Sequence, residues 1–471
     1  MELGCFMRTR GENETGYAFV LALIFVSLLT TVCTVMLSVQ YHQMRFVRKH
    51  IHQLQAFYTA EAGVYKAMWL LGGHEGRNPM WRTENESIQL LNGSFAHITV
   101  DAWGAYLKIQ SIGFDHKESQ EIACIVGEKP KSPFDQAVEI TNLEYPLVVA
   151  GQTKIIGDVT VGKKGVETGW VNGKGFSGHQ PVDGNIIKKI KLETPFTNFQ
   201  LFDHQMAYFQ GLLESNQHEA VQLNDSLASI EQNLSVNADT TIQVQKGDSL
   251  NLSLHQLIVK GNLEIRGEGE LRIDEVIVKD TLVLSERVNL QSVLLYGGSQ
   301  IVVKDQVALS GQLFSGQEIY LQNQAVADNG SVLYVQGEST EKGVIGTIDI
   351  QDEAVVIGTL VLPSKEENSE QDHDMRSVHV GTNAIVTGVI FNDHQTYLEG
   401  TVLGSLVTGS FYLYAPPTTY VNWLYDATID RTQLPQAFAM PLLFHEKPEL
   451  RVLYWVKSNS NKEYIGNTIG G

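Results

Sequence analysis

The first strong pattern along the chain is an apolar block. Tyr17 to Val39 reads YAFVLALIFVSLLTTVCTVMLSV, with no charged side chain. As a helix, a block of that length crosses the ~30 Å hydrocarbon core of a membrane. It is too long for the apolar centre of a secretory signal and has no small-x-small cleavage site after it. It also shows no polar stripe, which a helix packed in a soluble core would carry. The pattern predicts a membrane anchor bounded by Tyr17 and Val39.

The helical pattern continues past the anchor. From Gln40 to Leu71 there is no proline, and the first glycine is Gly63. Met44, Val47, Ile51, Leu54, Tyr58, Tyr65 and Met68 recur at steps of three and four, with Glu61 at the position that breaks the series. One helix from Tyr17 to Leu71 would be about 80 Å long. The stripe fits two readings equally: a face packed on the chain's own globular part, or a face packed against other helices in a filament.

Period-two alternation follows. Phe95–Val100, Tyr106–Gly113 and Gln120–Val126 read as short, half-buried antiparallel strands. Lys129-Pro130-Lys131-Ser132-Pro133 marks a boundary, because two prolines interrupt strand pairing there.

From Phe134 to about Asp430 the pattern changes to apolar triplets in three repeating sets. One set is Leu257–Val259, Val276–Val278, Val293–Leu295 and Gln312–Phe314. The second is Leu263–Ile265, Leu282–Leu284, Ile301–Val303 and Ile319–Leu321. The third is Leu271–Ile273, Val288–Leu290, Val307–Leu309 and Ala325–Ala327. Each set advances by 17 to 19 residues. Three short strands per turn at a fixed turn length predict a β-solenoid, in which each coil buries its apolar edge against the next. Strand spacing is too tight for a sandwich of hairpins. Gly261, Gly297 and Gly316 stand where bends are expected. Earlier coils are expected over Pro146–Val161, and later ones at Ala354–Val361, Val378–Ile390 and Tyr397–Val407.

One helix interrupts this body near residues 197–215. Thr197 and Gln200 have capping-box spacing. Phe199, Phe202, Met206, Phe209 and Leu213 recur at helical steps. This predicts a helix lying along the solenoid or plugging it. The stretch from Tyr420–Asp426 to Val452–Lys457 is expected to cover the open solenoid end, since unpaired strand edges invite aggregation.

Composition narrows the function. A net charge of −19 opposes binding to nucleic-acid phosphates or anionic lipid by bulk electrostatics. Cys5 precedes the anchor and Cys33 lies in it, which leaves Cys124 alone in the body without a disulfide partner. His445-Glu446 and His218-Glu219 lack the second histidine of a zinc-protease helix. Gly173-Lys174 comes nearest to a phosphate loop, but Thr168 holds the place of its first glycine and Gly175 that of its hydroxyl residue. There is no GxSxG elbow and no Cys/His spacing of a structural zinc site. His373, Asp374, His379, Asp393 and His394 form the best remaining metal candidate, but His373 and Asp374 fall in the acidic stretch Ser364–Met375. Asp274, Glu275, Asp280 and Glu286 are spread over outward positions. The sequence therefore predicts a protein that is not an enzyme, with no cofactor and no metal.

Certain residues also carry a resemblance. Gly16 ends a short hydrophilic leader, the apolar helix starts at Tyr17, and the helix runs into Ala56-Phe57-Tyr58-Thr59-Ala60-Glu61-Ala62-Gly63. This resembles the N-terminus of PilX-type pilus assembly proteins, relatives of the type IV pilins. Tyr106–Gly113 and the strand after it, and more weakly Tyr425-Asp426 and Trp455, are similar to later parts of such proteins. The resemblance implies cleavage by a prepilin peptidase between Gly16 and Tyr17. It also implies a body outside the cell, and pilin-like subunits and pilus assembly machinery as partners. Major pilins carry a glutamate five residues into the mature chain; Leu21 stands there, which implies a minor or initiating subunit. Arg45, Arg48 and Lys49 follow the anchor, whereas Arg8 and Arg10 are accompanied by Glu2, Glu12 and Glu14. Taken alone, that balance would put the body on the cytoplasmic side.

The expectation is a mainly β chain with a long N-terminal helix. Residues 1–16 are a leader, 17–72 the anchor and its extension, 73–130 a small antiparallel region, 134–430 a β-solenoid, and 431–471 a cap. The leading function is structural: a single-pass membrane protein of a type IV pilus-like surface system. The alternative is a stand-alone membrane-tethered solenoid that binds or trims an extracellular polysaccharide.

Overall fold

A computed structural model describes residues 13–72, 86–89, 93–191, 199–215, 233–244, 250–340, 343–363, 375–443, 448–456 and 464–465. It is mainly β, with one long N-terminal helix, a small antiparallel sheet and a solenoid-like body of parallel strands. Two compact units divide the chain. The smaller holds the N-terminal helix up to Tyr65 with the strand segments ending at Thr99 and spanning Gln110–Ile122; the larger holds Val100–Ile109 and everything from Ala123 onward.

Helix α1 runs unbroken over Asn13–Leu71, 59 residues. Strands β1 (Glu86–Gln89), β2 (Phe95–Trp103), β3 (Tyr106–Asp115) and β4 (Glu118–Glu128) belong to one six-stranded sheet. Its fifth strand, Leu450–Val456, pairs antiparallel with β4, with Val452 opposite Val126 and Trp455 opposite Cys124. This corrects the expectation for the C-terminal stretch. Instead of closing the solenoid, its apolar positions join the small sheet, where β4 offers a free edge and buried neighbours.

In the solenoid strands, inward apolar side chains alternate with outward ones over stretches such as Leu263–Ile273. Leu263, Ile265 and Leu271 are buried in one continuous core, while Arg266 and Arg272 face out. Parallel pairing stacks each coil on the next. The second predicted set stands in register as read: Leu263 pairs with Leu282, Leu282 with Ile301, and Ile301 with Ile319. The other two sets each contain a slip of two residues. Val276 pairs with Leu295 rather than Val293, and Leu271 with Leu290 rather than Val288. A two-residue slip leaves the same side chains pointing inward, so the apolar pattern does not distinguish the registers. In the next pairing, Ser292, at φ 53, is an extra residue that shifts the register by one, so Leu313 pairs with Leu295 rather than Leu294.

Coil length is not constant. Ile319 pairs with Ile348 and Ile348 with Val378, steps of 29 and 30 residues. The first long step accommodates the side hairpin Glu338–Thr340/Gly343–Ile345. Corners are turned at non-glycine residues: Glu286, Gln306, Gln324, Glu353 and Asn383 all sit at φ between 61 and 67, one per coil. Gly261, Gly297 and Gly316 keep ordinary φ values. Glycine matters more where coils approach closely. A Cβ on Gly388 would occupy the position of the Gly358 carbonyl in the coil beneath, and one on Gly404 that of Gly388.

The order of coils in space differs from the order in sequence. Val138–Ile140 pairs with Leu406–Thr408, and Lys154–Ile156 with Thr428–Asp430. Val159–Val161 stacks on Val138, and Ile186–Lys188 on Val159–Val161. The first coils of the chain therefore continue the stack beyond its last ones. Leu234–Val236, next after them, lies at the opposite end against Leu257–Val259.

Helix α2 (Gln200–Glu214) belongs to the connection between those ends. It lies along the solenoid's flank, burying Leu201, Phe202, Met206 and Phe209. Phe199 meets Phe391, Phe202 meets Tyr334, and Phe209 meets Phe314 and Tyr296. Tyr296, Phe314 and Tyr334 are stacked in register on successive coils. A helical pitch of about 5.4 Å nearly matches a coil spacing of about 4.8 Å, so roughly each turn of α2 meets one coil. Thr197, half of the expected capping box, falls outside the described residues. Phe199 takes the N-cap position and makes no side-chain cap bond.

Two substitutions separate the roles of corner and contact. Gly388→Ala should cost about 1–3 kcal/mol, because a carbonyl occupies the space its methyl needs. Glu353→Gly should gain about 0.5–1 kcal/mol by relieving the left-handed backbone. Urea unfolding of the two variants, followed by circular dichroism, gives both signs.

Candidate functional site: the two faces of the N-terminal helix

Tyr17–Val39 is exposed along its whole length, and α1 is the one described helix long and apolar enough to cross a membrane. Its few polar side chains satisfy themselves locally. Thr30, Thr31 and Thr34 donate to carbonyls four residues back at 2.7–2.8 Å, and Ser27 to the Ile24 carbonyl at 2.9 Å. In lipid such bonds remove the cost of an unpaired hydroxyl.

Beyond the anchor the helix has two faces. The inner face is made of small residues: Ala56, Thr59, Ala60, Gly63 and Val64 are all buried. They pack on residues of matching size. Gly113 of β3 has no room for a Cβ because the Ala56 carbonyl and Ala60 amide occupy that space. Gly63 in turn abuts Ser111, Ala96 and Ile98. The Thr59 hydroxyl donates to the Gln55 carbonyl at 2.7 Å and lies 3.1 Å from the Ser94 hydroxyl. The Ala56–Gly63 motif is thus a close helix-on-sheet contact, in which alanine and glycine let backbones approach.

The outer face carries the stripe read from the sequence. Met44, Val47, Ile51, Leu54, Tyr58 and Tyr65 are all exposed, from 43% at Leu54 to 64% at Met44; Met68, half-buried, ends the series. At about 100° per residue, these positions lie roughly half a turn from the small-residue face. The chain's own sheet therefore takes the small residues and leaves the large apolar ones uncovered. Of the two readings of the stripe, the exposure of these side chains favours packing against other helices.

Of the metal candidates read from the sequence, His379, Asp393 and His394 are among the described residues. His373 and Asp374 lie outside the described residues, as do His218-Glu219 and His445-Glu446. The His379 ring stacks on Tyr397 with centroids 4.4 Å apart, and its Nε2 lies 3.0 Å from the Ser377 hydroxyl. Burial lowers its pKa. Asp393 and His394 border a shallow pocket with Asn142 and Tyr412. Glu275, expected as a free surface carboxylate, instead accepts bonds from Tyr208 at 3.1 Å and Gln256 at 2.7 Å. Burial pushes the Cys124 thiol up to about 12, so it stays protonated.

A different cluster forms where no motif announces one: His52 of α1 with Asp115 at the end of β3 and His116 after it. Hydrogen bonding from His52 holds the Asp115 carboxyl below its usual pKa, and His116 adds to this. The histidine on α1 is 63 residues from the aspartate, so no local spacing announces the group.

No family model and no curated protein matches this sequence. Among solved structures, the chain is similar to the competence-associated pilin ComZ from Thermus thermophilus, at 12% sequence identity and a TM-score of 0.21. The alignment covers 86% of this chain and 97% of that one. A likeness at that score carries no argument about fold or function.

The two faces should respond differently to substitution. Gly113→Ala should cost about 1–3 kcal/mol by forcing helix and sheet apart. Leu54→Ala on the outer face should stay within about 0.5 kcal/mol of the parent. Native-state hydrogen exchange in β3 reads the difference.

Proposed function

We propose that this chain is a membrane-anchored, pilin-like structural subunit. Tyr17–Val39 sits in the membrane, the extension packs against neighbouring helices, and the solenoid is displayed outside the cell. The observation that carries this reading is the exposed stripe from Met44 to Tyr65, opposite the face its own sheet covers. Large apolar side chains in a continuous row outside a membrane are costly unless another surface covers them. Helices related by the same stripe are the natural cover, through knobs-into-holes packing.

The reading includes cleavage between Gly16 and Tyr17 by a prepilin peptidase, with pilin-like subunits and pilus assembly machinery as partners. Leu21 in place of a glutamate supports a minor or initiating role, because no carboxylate is there to meet a neighbour's new amino terminus. No catalytic step is assigned to the body.

Expression of the full chain in its own cells tests this. The mature protein should begin at Tyr17 by mass, and should appear in the filament fraction sheared from the surface. The double variant Val47→Asp with Ile51→Asp should stay in the membrane with a folded body and be lost from filaments. An uncleaved N-terminus, or a double variant that assembles like the parent, would sink the proposal.

A further inference from the structure

The turn between β3 and β4 carries chemistry that a packing subunit does not need. Asp115 ends β3, and His116 follows it at φ 54, in the left-handed region. The strands bring both beside His52 on α1. His52 Nδ1 lies 2.7 Å from Asp115 Oδ2, and His116 Nδ1 lies 3.2 Å from Asp115 Oδ1. The two imidazole rings face each other with centroids 4.4 Å apart. One ligand atom from each of the three residues lies within 4.8 Å of the others. The Asp115 side chain is 11% exposed, that of His52 31% and that of His116 72%. The group is therefore anchored on the inside and open on one side. Alongside it, Gln53 Nε2 donates to Glu118 Oε2 at 3.2 Å, which fixes the far limb of the turn to the next helical residue.

We propose that His52, Asp115 and His116 form a binding site for a divalent transition-metal ion of the zinc class. The donor set decides the class. Two imidazoles and one carboxylate suit zinc and its neighbours, whereas calcium and magnesium take oxygen ligands. Ligand atoms that share a tetrahedral ion at about 2.0 Å are about 3.3 Å apart. Here each Nδ1 lies 2.7 or 3.2 Å from a carboxylate oxygen, and the three donor atoms lie within 4.8 Å of one another. In the absence of an ion the imidazoles hydrogen-bond to the carboxylate, so the ligands are already gathered. Binding replaces those bonds with metal bonds and needs only a small opening. The exposed side at His116 leaves a fourth position for water, as in open zinc sites. Such an ion joins the helix extension to the hairpin turn, two segments far apart in sequence that otherwise meet through small residues.

A clasp made only of hydrogen bonds is the competing explanation, and cobalt separates the two. The full chain is purified in detergent, stripped with a chelator, and titrated with Co2+ and then Zn2+. One equivalent of Co2+ should give the visible absorption of a four-coordinate site, and Zn2+ should abolish it. His116→Asn, which suits the left-handed backbone, and His52→Gln should each weaken binding by at least about tenfold, the lower bound that even outer-shell partners show. Zn2+ should raise the melting temperature of the parent and not that of His116→Asn. Absence of a cobalt signal in the parent overturns the proposal, and so does a signal that survives in both variants. His116 lies on an exposed turn, so its variant decides the matter even if Asp115→Asn fails to fold.

Discussion

The body depends on one constraint: a parallel strand satisfies its backbone only against the coil before it and the coil after it. Every coil added creates a new edge, and a stack that ends abruptly leaves that edge bare. The chain builds the stack from two directions. It lays down its first coils, from Val138 to Lys188, then crosses to the far end and winds back from Leu234 until Leu406–Thr408 and Thr428–Asp430 meet the coils laid down first. First and last segments become neighbours, so the body is closed on itself in sequence. Helix α2 follows from this path, because the crossing must travel along the flank. The column of Tyr296, Phe314, Tyr334 and Phe391 is the apolar track that holds it there.

The helix unit obeys a second rule, that of matched sizes. A sheet surface built from Gly113, Ser111 and Ala96 accepts only a helix face equally small, and the Ala56–Gly63 segment supplies it. That choice determines what is left over. Once the small residues are taken, the large apolar ones stand on the far side. The exposed stripe is thus the necessary counterpart of a close helix-on-sheet contact, and the proposed assembly role uses what that contact leaves uncovered. The same close approach brings His52 to the β3–β4 turn, so the proposed metal site and the proposed packing surface share one structural cause.

Some polar groups are settled near at hand. Thr30 and Thr31 bond back to their own helix, and Glu275 on the solenoid is held by Tyr208 of α2 and by Gln256 of the preceding coil. Buried amide groups link distant segments of the larger unit. Gln312 accepts from the Ala105 amide at 2.6 Å and donates to the Trp103 carbonyl at 3.0 Å, fixing the β2–β3 turn to a solenoid coil.

Periodicity alone determined a great deal about this protein. The uninterrupted apolar block predicted a helix long and apolar enough to cross a membrane, steps of three and four placed the outer stripe, and period two with a near-constant repeat gave the solenoid and one register of three. These are local properties, written in the spacing of side chains along one element. What the tertiary structure decided is how elements meet. Two-residue slips at Val276–Leu295 and Leu271–Leu290 keep the same face inward, so hydrophobicity cannot choose between them. Corners at Glu286, Gln306, Gln324 and Glu353 carry no residue signal, because surrounding strands impose the left-handed backbone on residues that do not favour it; Asn383 suits it. Spatial coil order, the placing of Leu450–Val456 beside β4, and the meeting of His52 with Asp115 and His116 join segments far apart in the chain. No spacing encodes such contacts; they exist only once backbone pairing and the packing of small residues have brought the segments together.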